Sequence, residues 1–158
     1  MGSLTARFFG KGVPVDNLQQ GQFFFTDAEV GLKLQNEEAL LVSAGRGPLV
    51  CHIYDLGLRD VRLITGDLVF EPLWTSGCGA SAASSQLRPG ALALLPEGGL
   101  ALAFARPSGI CVVDLQTARR LQYWTLSHCF CTWRVMLSEG GGEVEILHVD
   151  TKAFEGER

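Results

Sequence analysis

The cysteines and histidines of this chain are the residues whose types could support metal binding or nucleophilic catalysis. The segment SHCFC holds His128, Cys129 and Cys131 within five residues. If this segment is a strand, Cys129 and Cys131 share one face, because side chains alternate along a strand. Zinc would need a fourth ligand, and the remaining histidines are His52 and His148. The segment therefore favours core or turn packing, where cysteine is a common small hydrophobic residue.

Cys78 is the second reactive candidate, since it lies between two glycines in SGCGAS. His52 with Asp55 or Asp67 could supply a base and its orienting carboxylate. A nucleophile usually lies on a sharp turn near the start of a helix, and the sequence predicts no helix here. A small cysteine- or metal-dependent enzyme centred on Cys78 or His128 is the alternative function, with an exposed loop cysteine as the simpler interpretation.

The composition limits the classes to which the protein can belong. The chain has 158 residues, of which 47% are hydrophobic and 19% charged, and this suits one folded domain with its own core. The formal net charge of -4 argues against direct nucleic-acid binding. Apolar runs fall short of the roughly 18 residues of a membrane helix, so membrane insertion is not expected. An odd number of cysteines without a C-x-x-C pair predicts reduced thiols in a cytoplasmic or nuclear protein.

Short apolar segments, which must position these candidates, indicate β-strands. The 19 glycines and 6 prolines divide the chain into short pieces rich in Val, Ile, Leu and Phe, as in all-β proteins. A helical pattern is not sustained over 12 residues without Gly or Pro. The predicted strands cover residues 22–26, 30–34, 39–43, 49–55, 60–65, 91–94, 100–105, 110–114, 120–126, 132–137 and 143–149.

Two segments repeat the same order of features, a test that matters because repeats decide the architecture. Residues 37–65 and 98–125 each contain a strand, a glycine turn, an apolar strand that ends in Asp-Leu, and a further strand. A poorer copy covers residues 131–156. The small, polar residues 75–87 lengthen the spacing between Asp55 and Asp114, the aspartates of the first two copies. They are predicted to form a flexible surface loop. The prediction is a single all-β repeat domain over residues 1–158.

This order resembles the blades of the WD-repeat family of β-propellers. The resemblance rests on the Pro-Glu-Gly-Gly hairpin at residues 96–99 and on dipeptides that stand where the family usually has Trp-Asp. These are Tyr54-Asp55, Val113-Asp114 and Val149-Asp150. The resemblance implies about three to four antiparallel propeller-like blades, whereas closed rings have about four to eight. It therefore implies a partial β-propeller, and three explanations stay open. The favoured one is a fragment or short isoform of a larger propeller, and the others are blades supplied by a second chain or a different small β-sandwich or barrel.

Aromatic and basic residues are the candidates for protein binding, because Arg, Trp and Tyr dominate interface hot spots. Three consecutive phenylalanines, at residues 23–25, cannot all point to one side of a strand, so at least one should face another blade or a partner. The predicted partner-binding residues are Phe23, Phe24, Arg119, Arg120, Tyr123 and Trp124. The predicted function is a non-catalytic scaffold for other proteins, part of a larger intracellular complex, and no cofactor is expected.

Overall fold

A computed structural model describes residues 11–57, 60–79 and 87–154 of the chain. These residues form short antiparallel strands, and the prediction of an all-β fold is confirmed. The strands are β1 (Lys11–Pro14), β2 (Phe23–Phe25), β3 (Val30–Lys33), β4 (Glu38–Val42), β5 (Leu49–His52), β6 (Asp60–Leu63), β7 (Asp67–Pro72), β8 (Gly77–Gly79), β9 (Leu92–Leu94), β10 (Leu100–Arg106), β11 (Gly109–Asp114), β12 (Arg119–Leu121), β13 (His128–Phe130), β14 (Thr132–Glu139) and β15 (Gly142–Asp150). Single 3-10 turns occupy Val15–Asn17, Ile53–Leu56, Trp74–Ser76 and Thr151–Phe154.

The described strands form three sheets. Sheet I has the order β1-β6-β2-β3-β4-β5, sheet II the order β8-β13-β9-β10-β11-β12, and sheet III the order β15-β14-β7. Sheets I and II are built in the same way. Each contains a four-stranded meander, β2 to β5 in sheet I and β9 to β12 in sheet II. The next strand, β6 or β13, pairs with the first strand of the meander. The strand that precedes the meander, β1 or β8, pairs with the other side of β6 or β13. The chain therefore contains a topological repeat, and the three sheets do not close into a ring.

The topological repeat is one strand out of step with the repeat in the sequence. Aligning residues 37–65 with 98–125 matches β4 to β10, whereas the strand orders of sheets I and II match β4 to β11 and β3 to β10. The physical reason is that every hairpin of a meander has the same order of apolar strand, glycine turn and apolar strand. Alternating hydrophobicity thus predicts the strands but does not determine which strand of sheet I is equivalent to which strand of sheet II.

Most predicted strands are present, with ends that differ by a few residues. Predicted strand 120–126 is shorter, because β12 ends at Leu121, and four strands were not predicted, namely β1, β7, β8 and β13. The predicted loop over residues 75–87 needs a correction, since its beginning forms the 3-10 turn Trp74–Ser76 and strand β8. Residues 80–86 of that loop lie outside the described residues.

One hydrophobic core joins all three sheets. It contains Leu32 from sheet I, Leu102 from sheet II, and Trp133 and Val135 from sheet III, all almost fully buried. The indole N–H of Trp133 donates a 2.8 Å hydrogen bond to the carbonyl of Gly90, so this large ring buries no unpaired polar group. Smaller clusters cover the opposite faces of sheets I and II.

The three phenylalanines of β2 divide between two cores, as strand alternation predicts. Phe23 and Phe25 face the core that the three sheets share, and Phe24 faces the smaller cluster of sheet I. A Cβ atom built on Gly31, the partner of Phe24 on β3, would overlap the Phe24 ring. Position 31 therefore needs a glycine because the ring occupies the space of a side chain.

Two of the aspartates that mark the sequence repeat cap turns. The Asp114 carboxylate accepts hydrogen bonds from the backbone N–H groups of Gln116, at 2.8 Å, and Thr117, at 3.2 Å. Asp150 accepts one from the N–H of Lys152 at 3.0 Å. Asp favours such turns because its short side chain reaches its own backbone two residues on. Local turn chemistry thus explains the aspartate at two of the three positions that mark the repeat, Asp114 and Asp150.

Sheets I and II also contact each other through polar groups. Arg120 on β12 forms an ion pair with Glu38 on β4, and the side-chain amide of Gln20 donates a 3.1 Å hydrogen bond to the carbonyl of Thr117. Within the parts of the chain that the structure describes, a helix long and apolar enough to cross a membrane is absent.

Candidate functional site

An exposed tryptophan lies beside β8, the outermost described strand at one end of sheet II. Trp74 begins the 3-10 turn that leads into β8 and is 64% exposed, and Leu73, which precedes it, is 50% exposed. Single exposed apolar residues are common, but adjacent large ones form a patch that needs an explanation. We call this patch, together with the rings of His128 and Phe130 that support it, the Trp74 platform.

Neighbouring rings hold the indole of Trp74 in place. Its centroid lies 4.9 Å from that of Phe130, with an interplanar angle of 80°, and 6.0 Å from that of His128, at 74°. His128 and Phe130 are themselves nearly parallel, at 10°. Edge-to-face contacts at these distances are favourable, and Phe130 is buried. The exposed indole therefore rests on a fixed base.

The turn that carries Trp74 is attached to the start of β14. The Ser76 hydroxyl donates a 2.6 Å hydrogen bond to the carbonyl of Leu73 and accepts one of 3.1 Å from the N–H of Thr132. The N–H of Leu73 donates to the carbonyl of Thr132 at 2.9 Å. These bonds fix the direction in which the chain enters β8, and with it the position of the indole.

Gly77 is required directly behind the platform. It pairs with Phe130 across β8 and β13, and a Cβ atom at position 77 would lie 2.7 Å from the Phe130 ring. An aromatic ring over a cross-strand glycine is a recognised way of covering the exposed backbone. Gly77 therefore has a structural role, which the sequence alone left open, whereas a Cβ at Gly79, on the other side of Cys78, would meet no atom within 4 Å.

Cys78 and Cys129 lie directly opposite each other on β8 and β13. Their Sγ atoms are 2.8 Å apart, and both thiols are free. Burial, together with the hydrogen bond to Cys78, raises the pKa of the Cys129 thiol to about 12. Packing of Cys129 in the core agrees with the sequence, whereas Cys78 is half-buried in a strand and not in a loop.

The residues proposed for catalysis or metal binding are distributed across the fold. His52 lies on β5 of sheet I, Cys78 on β8 of sheet II and Asp67 on β7 of sheet III. The Nδ1 atom of His52 accepts a 3.4 Å hydrogen bond from the N–H of Tyr54. A group of three or more His, Cys, Asp or Glu residues that could hold a metal is absent from the described residues. The enzyme alternative stays a prediction.

Three of the predicted partner-binding residues are committed to the fold. Phe24 is fully buried and is removed from the predicted set, because its ring fills the space above Gly31. Phe23 is half-buried against the ring of Phe70, with centroids 5.8 Å apart. Arg120 forms an ion pair with Glu38, and its guanidinium lies 5.8 Å from the centre of the Phe104 ring.

The side chains of the other three predicted residues are at least partly exposed to solvent. Tyr123 is 91% exposed and Arg119 is exposed, while Trp124 is half-buried against the small cluster of sheet II. Sequence reasoning missed Leu73 and Trp74. Their signal was a pair of large apolar residues immediately before a small, polar, glycine-containing segment. Because no apolar strand follows them in the sequence, they were candidates for exposure at the surface.

Comparisons with models of known protein families, with curated proteins and with solved structures give no match. The resemblance to WD-repeat propellers therefore stays a prediction, and a functional proposal must depend on the geometry of the described residues.

Proposed function

We propose that this chain is a non-catalytic protein–protein interaction module, a propeller-like part of a larger intracellular complex. The observation that carries the proposal is the Trp74 platform, in which an indole that is 64% exposed rests edge-on against a buried ring. Tryptophan is one of the three residue types enriched among interface hot spots. A fixed indole also loses little conformational entropy on binding, so more of its burial contributes to affinity.

The surroundings of the platform support this proposal, because interfaces combine an apolar centre with a polar rim. A shallow groove starts at Leu73 and continues along sheet III. Along it, Arg134 forms a 2.8 Å ion pair with Glu71 and lies 3.9 Å from Glu145, which in turn is 3.7 Å from His148. An apolar anchor beside alternating charges suits a protein partner that brings one apolar side chain and its own charged groups.

The test compares two surfaces of the same chain. A photo-crosslinking amino acid at the exposed position 75, next to an unaltered Trp74, should capture partners in cells. Trp74→Ala should then weaken binding of each captured partner by about 30-fold or more, the usual loss at a hot spot. Tyr123→Ala is the matched control, since Tyr123 is the most exposed aromatic ring of the sequence-derived set.

Isothermal titration with the purified partner and each variant measures the effect. If the partner bound the Trp74→Ala variant and the unaltered chain with equal affinity, the proposal that the Trp74 platform binds it would be wrong. A loss confined to Tyr123→Ala would move the interface to the end of sheet II that carries β12. Circular dichroism of both variants checks that the β-sheet content is unchanged.

A further inference from the structure

Cys78 and Cys129 form a cross-strand pair whose geometry suits covalent closure. Residues directly opposite each other in antiparallel strands have Cα atoms about 4.5 to 5.5 Å apart, inside the range of about 4.4 to 6.8 Å that a disulfide spans. The Sγ atoms lie 2.8 Å apart, against about 2.0 Å in a disulfide. A small side-chain rotation therefore brings the two sulfurs to bonding distance without moving the strands.

We infer that Cys78 and Cys129 are a redox modification site that closes into a disulfide on reaction with a low-molecular-weight disulfide. This inference is independent of the proposed binding function. Cys78 is half-buried and Cys129 is almost fully buried. Cys78 thus meets the reagent first, and Cys129 completes the reaction from within the core.

The reaction balances in two exchange steps. The Cys78 thiolate attacks one sulfur of the reagent, the reagent's S–S bond breaks, and one thiolate leaves and takes up a proton. The Cys129 thiol then loses its proton and attacks the Cys78 sulfur of the mixed disulfide, which releases the second small thiol. Two protein thiols are oxidised, and one small disulfide is reduced to two thiols.

Cys131 is the competing thiol, because it follows Cys129 by two residues and is half-buried. Residues i and i+2 of an extended chain have Cα atoms about 6.5 to 7 Å apart, at or beyond the limit for a disulfide. Cys78, directly across the ladder, lies within that limit. The pairing of Cys129 with Cys78 is therefore the favoured one.

The test oxidises the full chain with excess oxidised glutathione after removal of reductant. Intact mass spectrometry should find a product lighter by two hydrogens that retains no glutathione at this site. A non-reducing digest should contain one peptide pair that joins Cys78 to Cys129. The midpoint of thermal unfolding should rise by several degrees on oxidation, because the cross-link closes a long loop.

Two variants make the result specific. Cys78→Ala should abolish both the cross-link and the rise in melting temperature, whereas Cys51→Ala, which removes a half-buried cysteine of sheet I, should leave both unchanged. A stable glutathione adduct on Cys78, a cross-link from Cys129 to Cys131, or unreacted Cys78 and Cys129 would each overturn the inference. Mapping of the unaltered chain settles it even if a variant folds poorly.

Discussion

Sheets I and II have the same strand order but fill equivalent positions with different residues. The directly paired residues across the first four strands are Lys11, Leu63, Phe24 and Gly31 in sheet I. The equivalent row of sheet II is Cys78, Cys129, Ala93 and Ala101. One large ring covers a glycine in sheet I, whereas small side chains and two thiols fill the same place in sheet II. Topology thus constrains where side chains point and leaves their chemistry open.

The outermost strands differ in the same direction. β1 carries Lys11 and Pro14, and a charge and a proline both discourage pairing with another chain at the end of a sheet. β8 reads Gly-Cys-Gly and follows the exposed Trp74. The end strand of sheet I thus carries residues that discourage pairing, while the features suited to binding and to redox chemistry are concentrated at one end of sheet II.

The largest effect is expected for Phe24→Ala. The change removes a fully buried ring and leaves a cavity above Gly31, so the free energy of unfolding should fall by about 3 to 5 kcal/mol. Urea denaturation measures the loss. Tyr123→Ala is the surface control and should stay within about 0.5 kcal/mol. A cost for Phe24→Ala of the same size as the control would remove the distinction between the two sheets.

A smaller effect is expected when a methyl group is added at each covered glycine. Gly31→Ala should cost about 1 to 3 kcal/mol, because its Cβ would overlap a ring that is closed in on all sides. Gly77→Ala should cost less, because a Cβ at position 77 would overlap the Phe130 ring less closely than a Cβ at position 31 would overlap the Phe24 ring. Combining Gly31→Ala with Phe24→Leu should recover part of the loss, and no recovery would show that the ring is not the cause.

The ion pair between the two sheets should contribute about 1 kcal/mol or less. Glu38→Gln removes the charge that pairs with Arg120, and both side chains are 29% exposed, so solvent screens much of the interaction. Glu71→Gln is the matched control, because its pair with Arg134 is more exposed and should contribute less. Denaturation at low and high salt measures both. An equal effect of the two changes would show that the Glu38–Arg120 pair contributes no more to the free energy of unfolding than the more exposed Glu71–Arg134 pair.

A distinct effect in alkali is expected for Cys129→Ala. The folded-state pKa of Cys129 is about 12, above its ordinary value of 9.0. The folded state therefore holds this proton more tightly, and the associated stability is complete below pH 9 and lost between pH 9 and 12. The free energy of unfolding should fall less steeply over this range in the variant than in the unaltered chain. Parallel slopes would contradict the burial of the thiol.

The sequence predicted the strands of the meanders because alternating apolar residues, bounded by glycine and proline, are a local signal. It missed β8 and β13, since Gly77–Gly79 has no apolar alternation and becomes a strand only by pairing with His128–Phe130. The Trp74 platform was missed for the same reason. The proximity of Cys78 to Cys129 and of Trp74 to Phe130 depends on that long-range pairing, whereas Tyr123, which is 91% exposed, was selected from its residue type alone.

The pairing of β7 with β14 has a consequence for folding on the ribosome. Sheet I draws all its strands from residues 11–63 and sheet II from residues 77–130, while β7 at residues 67–72 pairs with β14 at residues 132–139. Each large sheet can assemble from one continuous segment, but β7 waits until its partner has emerged. During that interval its backbone groups are open to the β14 of a neighbouring nascent chain, so we expect strand exchange between copies to be a folding error to which this order of synthesis exposes the chain.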